Sequence, residues 1–277
     1  MDELEKDVVD DFGNEWKRYD QSKLDSDLKI KLFDAYFNIF PKNFLEKSKC
    51  GIDAGCGSGR WAEIVSKKVD KLVCFDASFS ALETSRINLS KNLNCTLVNG
   101  SVTDLPFRNE EFDFAYSLGV LHHIKNTQLA FNEIGRCLKK GSPFLVYVYY
   151  RLSNKNVLYR AIWYISDFLR RFISVLPLFL KTKVTDFIAV FAYYPLSRIA
   201  LICSLLFPHR NITNFPLYYY RDLSFYVMRT DSLDRFGTKL EKRFSRAEIE
   251  IMMQNAGFEN VTFSDIEPYW CAVGYKR

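Results

Sequence analysis

The segment Ile52-Asp53-Ala54-Gly55-Cys56-Gly57-Ser58-Gly59 sets three glycines at alternate positions behind a short apolar run. Glycine lets the backbone turn sharply and approach a ligand with no Cβ in the way. A helix opening behind the loop offers free backbone N–H groups. No Gly-Lys-Ser/Thr follows, which disfavours a phosphate loop. The spacing is also not Gly-x-Gly-x-x-Gly, which weakens dinucleotide binding. Asp76 ends the next apolar run, where a carboxylate can accept bonds from both hydroxyls of a ribose. Its bland alternative is a solvated turn residue. His122 and His123 are imidazoles suited to general-base work near neutral pH, or else residues that pack a helix start. Adjacent histidines cannot face one ion from a regular helix, so no metal site is expected there.

Short apolar runs alternate with helical patterns around these residues. Strands are expected at Lys49–Ala54, Lys71–Asp76, Cys95–Asn99, Glu111–Ser117 and Pro143–Tyr150, with helices between them. The alternation stops at Tyr150 and resumes near Phe244. There Ser245-Arg246-Ala247-Glu248 has capping-box spacing, and Gly257 is a good helix stop. Val261–Ser264 and Trp270–Tyr275 read as two closing strands. The fold class is therefore α/β, a doubly wound, mostly parallel seven-stranded sheet with a helical insertion after strand 5.

Of the 277 residues, 48% are apolar and 26% charged, which fits an ordered globular chain. Seven cysteines stand singly, with no metal spacing and no Cys-x-x-Cys; reduced thiols in a cytoplasmic protein are the simpler expectation. The acidic start MDELEKDVVDDFGNEW lacks the apolar run of a signal peptide. No window reaches the roughly 18 uncharged apolar residues of a spanning helix. The closest approach, Phe187 to Phe207, is interrupted by Pro195 and Arg198.

Residues 50–150 resemble a class I S-adenosylmethionine-dependent methyltransferase of the small-molecule type. The resemblance rests on order and spacing. It runs through Asp53 to Gly59, Asp76, Gly100-Ser101-Val102-Thr103-Asp104-Leu105-Pro106-Phe107, Phe112 to Ser117, Leu121-His122-His123-Ile124 and Arg136 to Gly141. It implies that Gly55, Gly57 and Gly59 line the methionine and ribose of S-adenosyl-L-methionine, with Asp53 near the methionine ammonium. Asp76 would hold the ribose, Asp104 and the Leu105 backbone would meet the adenine, and Ser117 would lie under the methionine. Phe12 to Tyr19 resembles the lid such enzymes fold over the cofactor, with Trp16 in it; packing of one helix face is the alternative. The chain departs from the metal-dependent quinone O-methyltransferases, which carry Glu-x-x-Glu-His where this chain has Gly119, His122 and His123.

The domains expected are an N-terminal helical lid (1–48), the cofactor domain (49–150 and 244–277) and an insertion (151–243) shaping the acceptor pocket. Within the insertion, Leu158, Ile162, Ile165, Leu169, Phe172 and Leu176 form one helix face, ended by Pro177. From Arg151 to Arg210, nine Lys/Arg stand against two Asp, while the whole chain is +5. Two readings stay open: a soluble helical cap whose apolar faces pack together, or peripheral contact with membrane or a lipid-like substrate. Tyr220, Arg221, Arg229 and Asp231 are either a substrate wall or an ordinary ion-pair network. The expected reaction is methyl transfer to a small-molecule or lipid/glycan-linked acceptor, with His123 or His122 as base. The alternatives are a short-chain dehydrogenase, whose Tyr-x-x-x-Lys occurs only at Tyr19–Lys23 before the loop, and a non-catalytic cofactor-binding scaffold. No nucleic-acid partner is expected, because the basic segment is interleaved with apolar residues.

Overall fold

The computed structural model describes residues 3–21, 25–152, 157–209, 212 and 215–277. Lys23, Lys155 and Arg210, used above, lie outside the described residues. The chain divides into two compact units, Met1–Arg151 with Leu240–Arg277, and Leu152–Lys239.

The first unit begins with α1 (Glu3–Arg18) and α2 (Ser26–Phe37), the latter capped by the Asp25 carboxylate. Next come β1 (Cys50–Ala54), α3 (Ala62–Val65), β2 (Lys71–Asp76), α4 (Phe79–Asn88), β3 (Cys95–Asn99), β4 (Phe114–Leu118), α5 (Thr127–Cys137) and β5 (Pro143–Tyr147). The strands form a seven-stranded sheet in the order β3-β2-β1-β4-β5-β7-β6, in which β7 (Cys271–Lys276) runs antiparallel between β5 and β6 (Phe258–Phe263). The other pairings are parallel. This is the expected doubly wound architecture, with boundaries shifted by a few residues.

Central strands bury both faces, and their residues alternate between two cores. On β4, Phe114 and Tyr116 join Trp61, Leu72 and Leu145 on one side, while Ala115 joins Ile52, Phe131 and Phe144 on the other. The order reverses at β1, between β2 and β4. In such sheets ligands bind beyond the carboxyl ends of the strands at that switch. The capping box opens α10 (Arg246–Asn255): Ser245 Oγ accepts from the Glu248 N–H, and the Glu248 carboxylate accepts from the Ser245 N–H. The strands of this unit are tied near the break by pairing of Tyr150 with Phe244.

The second unit is helical: α6 (Val157–Ile173), α7 (Leu178–Ile188), α8 (Tyr194–Leu206) and α9 (Phe225–Gly237). Two expectations are corrected here. α6 stops at Ile173, and Pro177 instead caps the start of α7. Pro195 does not interrupt the apolar stretch. A single π-helical turn, Ala189–Tyr193, joins α7 to α8, and Pro195 falls in the first turn of α8. A wide turn accommodates the missing proline N–H and its bulky ring. The result is one helix of 29 residues, Leu178–Leu206, long and apolar enough to cross a membrane by length and composition.

Candidate active site

The glycine loop is folded back onto β2. The N–H groups of Gly55 and Cys56 both donate to the Phe75 carbonyl, at 2.7 and 3.0 Å. The Gly57 N–H donates to Asp76 Oδ2 at 2.9 Å, and the Ser78 N–H donates to Asp76 Oδ1 at 2.8 Å. Asp76 thus fastens the loop to the turn after its own strand. Gly55 and Gly57 have φ of +94° and +54°, where a Cβ is strained. A Cβ at Gly55 would meet Val120 at 2.4 Å, and one at Gly57 would meet the Trp16 indole at 2.9 Å.

These residues line one cavity, of about 1010 Å³ counting its open mouth. Val8, Phe12 and Trp16, spaced four apart on α1, form one wall, and α1 packs on α4. Gly55, Gly57 and Asp76 form another, Ser101 and Val102 a third. Ala77, Gly119, Val120 and His123 also line it.

The remaining expected residues lie outside that lining. Asp53 is buried behind the loop, and its Oδ2 has no hydrogen-bond partner. Burial pushes its carboxyl well above the usual range, the Tyr116 hydroxyl counters this, and the Asp76 charge adds to it. Burial also raises Asp76, offset by the two backbone N–H groups it accepts. Gly59 packs on Ser85 of α4 and on Leu89, which follows that helix. Ser117 donates to the Ala54 carbonyl at 2.7 Å. The Leu105 amide donates to Glu133 Oε2 at 3.1 Å rather than facing the cavity, and the Asp104 amide closes a turn onto Ser101. Sequence reasoning missed Ser101, Val102 and Ala77 as wall residues, since small side chains carry no chemical signal.

The two histidines separate. His122 is fully buried, stacked on Tyr149 at 3.9 Å, and its Nδ1 accepts from the Tyr149 N–H at 3.4 Å. Burial first, then the charges of His123 and Arg243, holds it well below the usual imidazole range and therefore neutral. His123 reaches the cavity, with its ring 4.7 Å from that of Phe12. Its Nδ1 lies 2.7 Å from the Leu240 carbonyl. A carbonyl can only accept, so Nδ1 carries the proton and Nε2 is the basic nitrogen of the neutral ring.

In the helical unit, Arg229 forms a two-pronged ion pair with Asp186 at 2.9 and 2.7 Å. Arg221 lies over the Tyr218 ring at 3.9 Å and pairs with Asp222 at 3.2 Å. Tyr220 packs on Tyr193, whose hydroxyl is raised by burial and then by the Asp231 charge. Arg221 and Arg229 are thus each held in an ion pair within this unit. Among the described residues no group of three or more His, Cys, Asp or Glu could hold a metal ion.

Residues 52–146 match the family model described as a methyltransferase domain. The human "Probable tRNA methyltransferase 9B" is 30% identical over 121 residues, covering 42% of this chain and 25% of that protein. The demethylmenaquinone methyltransferase of Staphylococcus aureus is 27% identical over 134 residues, covering 47% of this chain and 55% of that protein. A "putative methyltransferase" from Bacillus halodurans shares the fold, with a TM-score of 0.51 at 16% identity over 84% of this chain and 71% of that one. The chain thus spans at most about half the length of these two curated relatives. Residues 52–146 thus match a methyltransferase domain, and the sheet shares its fold with a solved methyltransferase; S-adenosylmethionine is the cofactor that this match implies. The residues present fit it. The loop leaves space only glycine permits, Asp76 keeps acceptor capacity on both oxygens, and the cavity is large enough for a nucleoside.

Proposed function

We propose that the chain transfers a methyl group from S-adenosylmethionine to a small-molecule or lipid/glycan-linked acceptor. One observation carries this reading: the cavity that presents Gly55, Gly57, Asp76 and Trp16 also presents His123. When bound, the cofactor supplies a sulfonium methyl already activated for in-line displacement. Gly55 and Gly57 would admit its methionine and ribose part, Asp76 would accept from the ribose hydroxyls, and α1 with Trp16 would act as the lid that excludes water. His123 Nε2 takes the acceptor proton while the Leu240 carbonyl holds the ring and stabilises the imidazolium that forms. Seven free thiols suit a reducing, cytoplasmic setting.

The test compares lipid, quinone and glycan extracts from cells with and without the chain by mass spectrometry, seeking a 14-dalton methylene difference that purified protein reproduces. His123→Gln should lower turnover by about 10²–10⁴-fold with cofactor affinity kept. EDTA should leave the activity intact. Failure to bind S-adenosylmethionine in calorimetry would overturn the reading. Methyl incorporation into tRNA alone would move the acceptor to nucleic acid.

A further inference from the structure

The helical unit leaves much of its apolar surface outside. Its interior mixes a small apolar cluster, Ile173, Tyr193, Met228 and Phe236, with ions and hydroxyls. Asp167 is buried on α6 and pairs with Arg170 at 2.9 Å, and Arg170 also donates to the Thr238 carbonyl. Lys181, Thr185, Ser197 and Ser232 are buried too, and Ser232 donates to the Thr185 carbonyl at 2.9 Å. The outward faces of α6 and of the Leu178–Leu206 helix are apolar. Leu158, Ile165 and Phe168 on α6, Phe187 on α7, Phe191 in the π turn and Leu205 on α8 are each at least 60% exposed. The sequence period had located the α6 apolar face; the structure leaves that face outward and turns Asp167 and Arg170 inward. In water this arrangement forgoes about 25 cal/mol for every Å² of apolar surface left wet.

Three observations say what covers this surface. Along Leu178–Leu206 the only exposed side chains with a polar atom are Lys183 and Tyr194. A protein partner's patch needs about one hydrogen bond per 100–200 Å², which this face cannot supply. Only 22% of the helix's most apolar eighteen-residue window is buried, unlike a core helix. Among the described residues of 157–209, the exposed Lys and Arg are Arg160, Arg171 and Lys183, and no carboxylate is exposed. That charge complements anionic headgroups.

We propose that the unit 152–239 docks on an anionic lipid bilayer, with the apolar faces of α6 and of the Leu178–Leu206 helix among the acyl chains and Arg160, Arg171 and Lys183 at headgroup level. This goes beyond methyl transfer and does not depend on it. The experiment is flotation of the full chain with phosphatidylcholine vesicles, with and without phosphatidylglycerol, at low and high salt. Binding should be strongest with phosphatidylglycerol at low salt. Arg160→Gln and Lys183→Gln should each weaken it by about fivefold on those vesicles. The pair Phe187→Asp and Phe191→Asp should weaken it on both vesicle types. Retained binding of S-adenosylhomocysteine by these variants, read by calorimetry, shows that the cofactor domain is folded, and circular dichroism checks the helices. Two results would overturn the proposal: no flotation on either vesicle, or a stable dimer in buffer that ignores vesicles and falls to monomer with the two aspartates.

Discussion

Asp76 serves two ends with one carboxylate: each oxygen accepts a backbone N–H of the loop or turn, and each keeps capacity for a hydroxyl. Asp76→Ala should therefore weaken cofactor affinity by about 1–3 kcal/mol, roughly five- to 150-fold, in calorimetry, with Asp76→Asn falling between the two. Unchanged affinity in the alanine variant would remove Asp76 from the site. Residues like Asp76 and Gly57 are legible in a sequence because the backbone conformation or the ligand demands that residue type. The difference between His122 and His123 is not. It depends on the Leu240 carbonyl, 117 positions away from His123, and on the Tyr149 ring stacked against His122. Nothing in two adjacent imidazoles announces which will face a cavity.

The short return segment after Leu240 acts as a brace for the histidine turn. Leu240 accepts from His123, the Lys242 N–H donates to the His122 carbonyl at 2.9 Å, and Phe244 pairs with Tyr150. His122 is held neutral inside this brace. Its folded pKa lies below the value of about 6.5 it has when unfolded, so its contribution to stability is complete above that pH. As pH falls below it, the unfolded chain takes up the proton first and stability is lost. Melting temperature should thus drop on acidification from pH 7.5 to 5.5 more steeply in the wild type than in His122→Asn. Parallel slopes would place the titration elsewhere. Elements with a strong apolar period, such as α6, were legible as helices. What the period cannot tell is whether protein or another apolar phase covers the face, which is why the outward side of α6 emerged only in the structure. Pro195 was equally opaque, since its cost depends on whether the preceding turn can widen.

At the scale of the whole molecule, the sheet is completed by segments made far apart in time. β5 has β4 on one side, but its other neighbour is β7, with Pro143 opposite Tyr275. Between them the ribosome must release the entire helical unit. Until β7 arrives, β5 is an open edge with almost wholly buried-type side chains, Pro143-Phe144-Leu145-Val146-Tyr147, a template for pairing with other chains. Such long-range pairing is slow and exposes aggregation-prone surface meanwhile. A chain ended before Arg246 should accumulate as aggregate rather than as soluble cofactor-binding protein, and co-expression of 246–277 as a separate peptide should recover part of it. Soluble, S-adenosylhomocysteine-binding protein from the truncated chain alone would show that the edge needs no closing strand. During synthesis the apolar helices emerge while that edge is still open, so the order of the chain sets two hydrophobic surfaces waiting for partners at once.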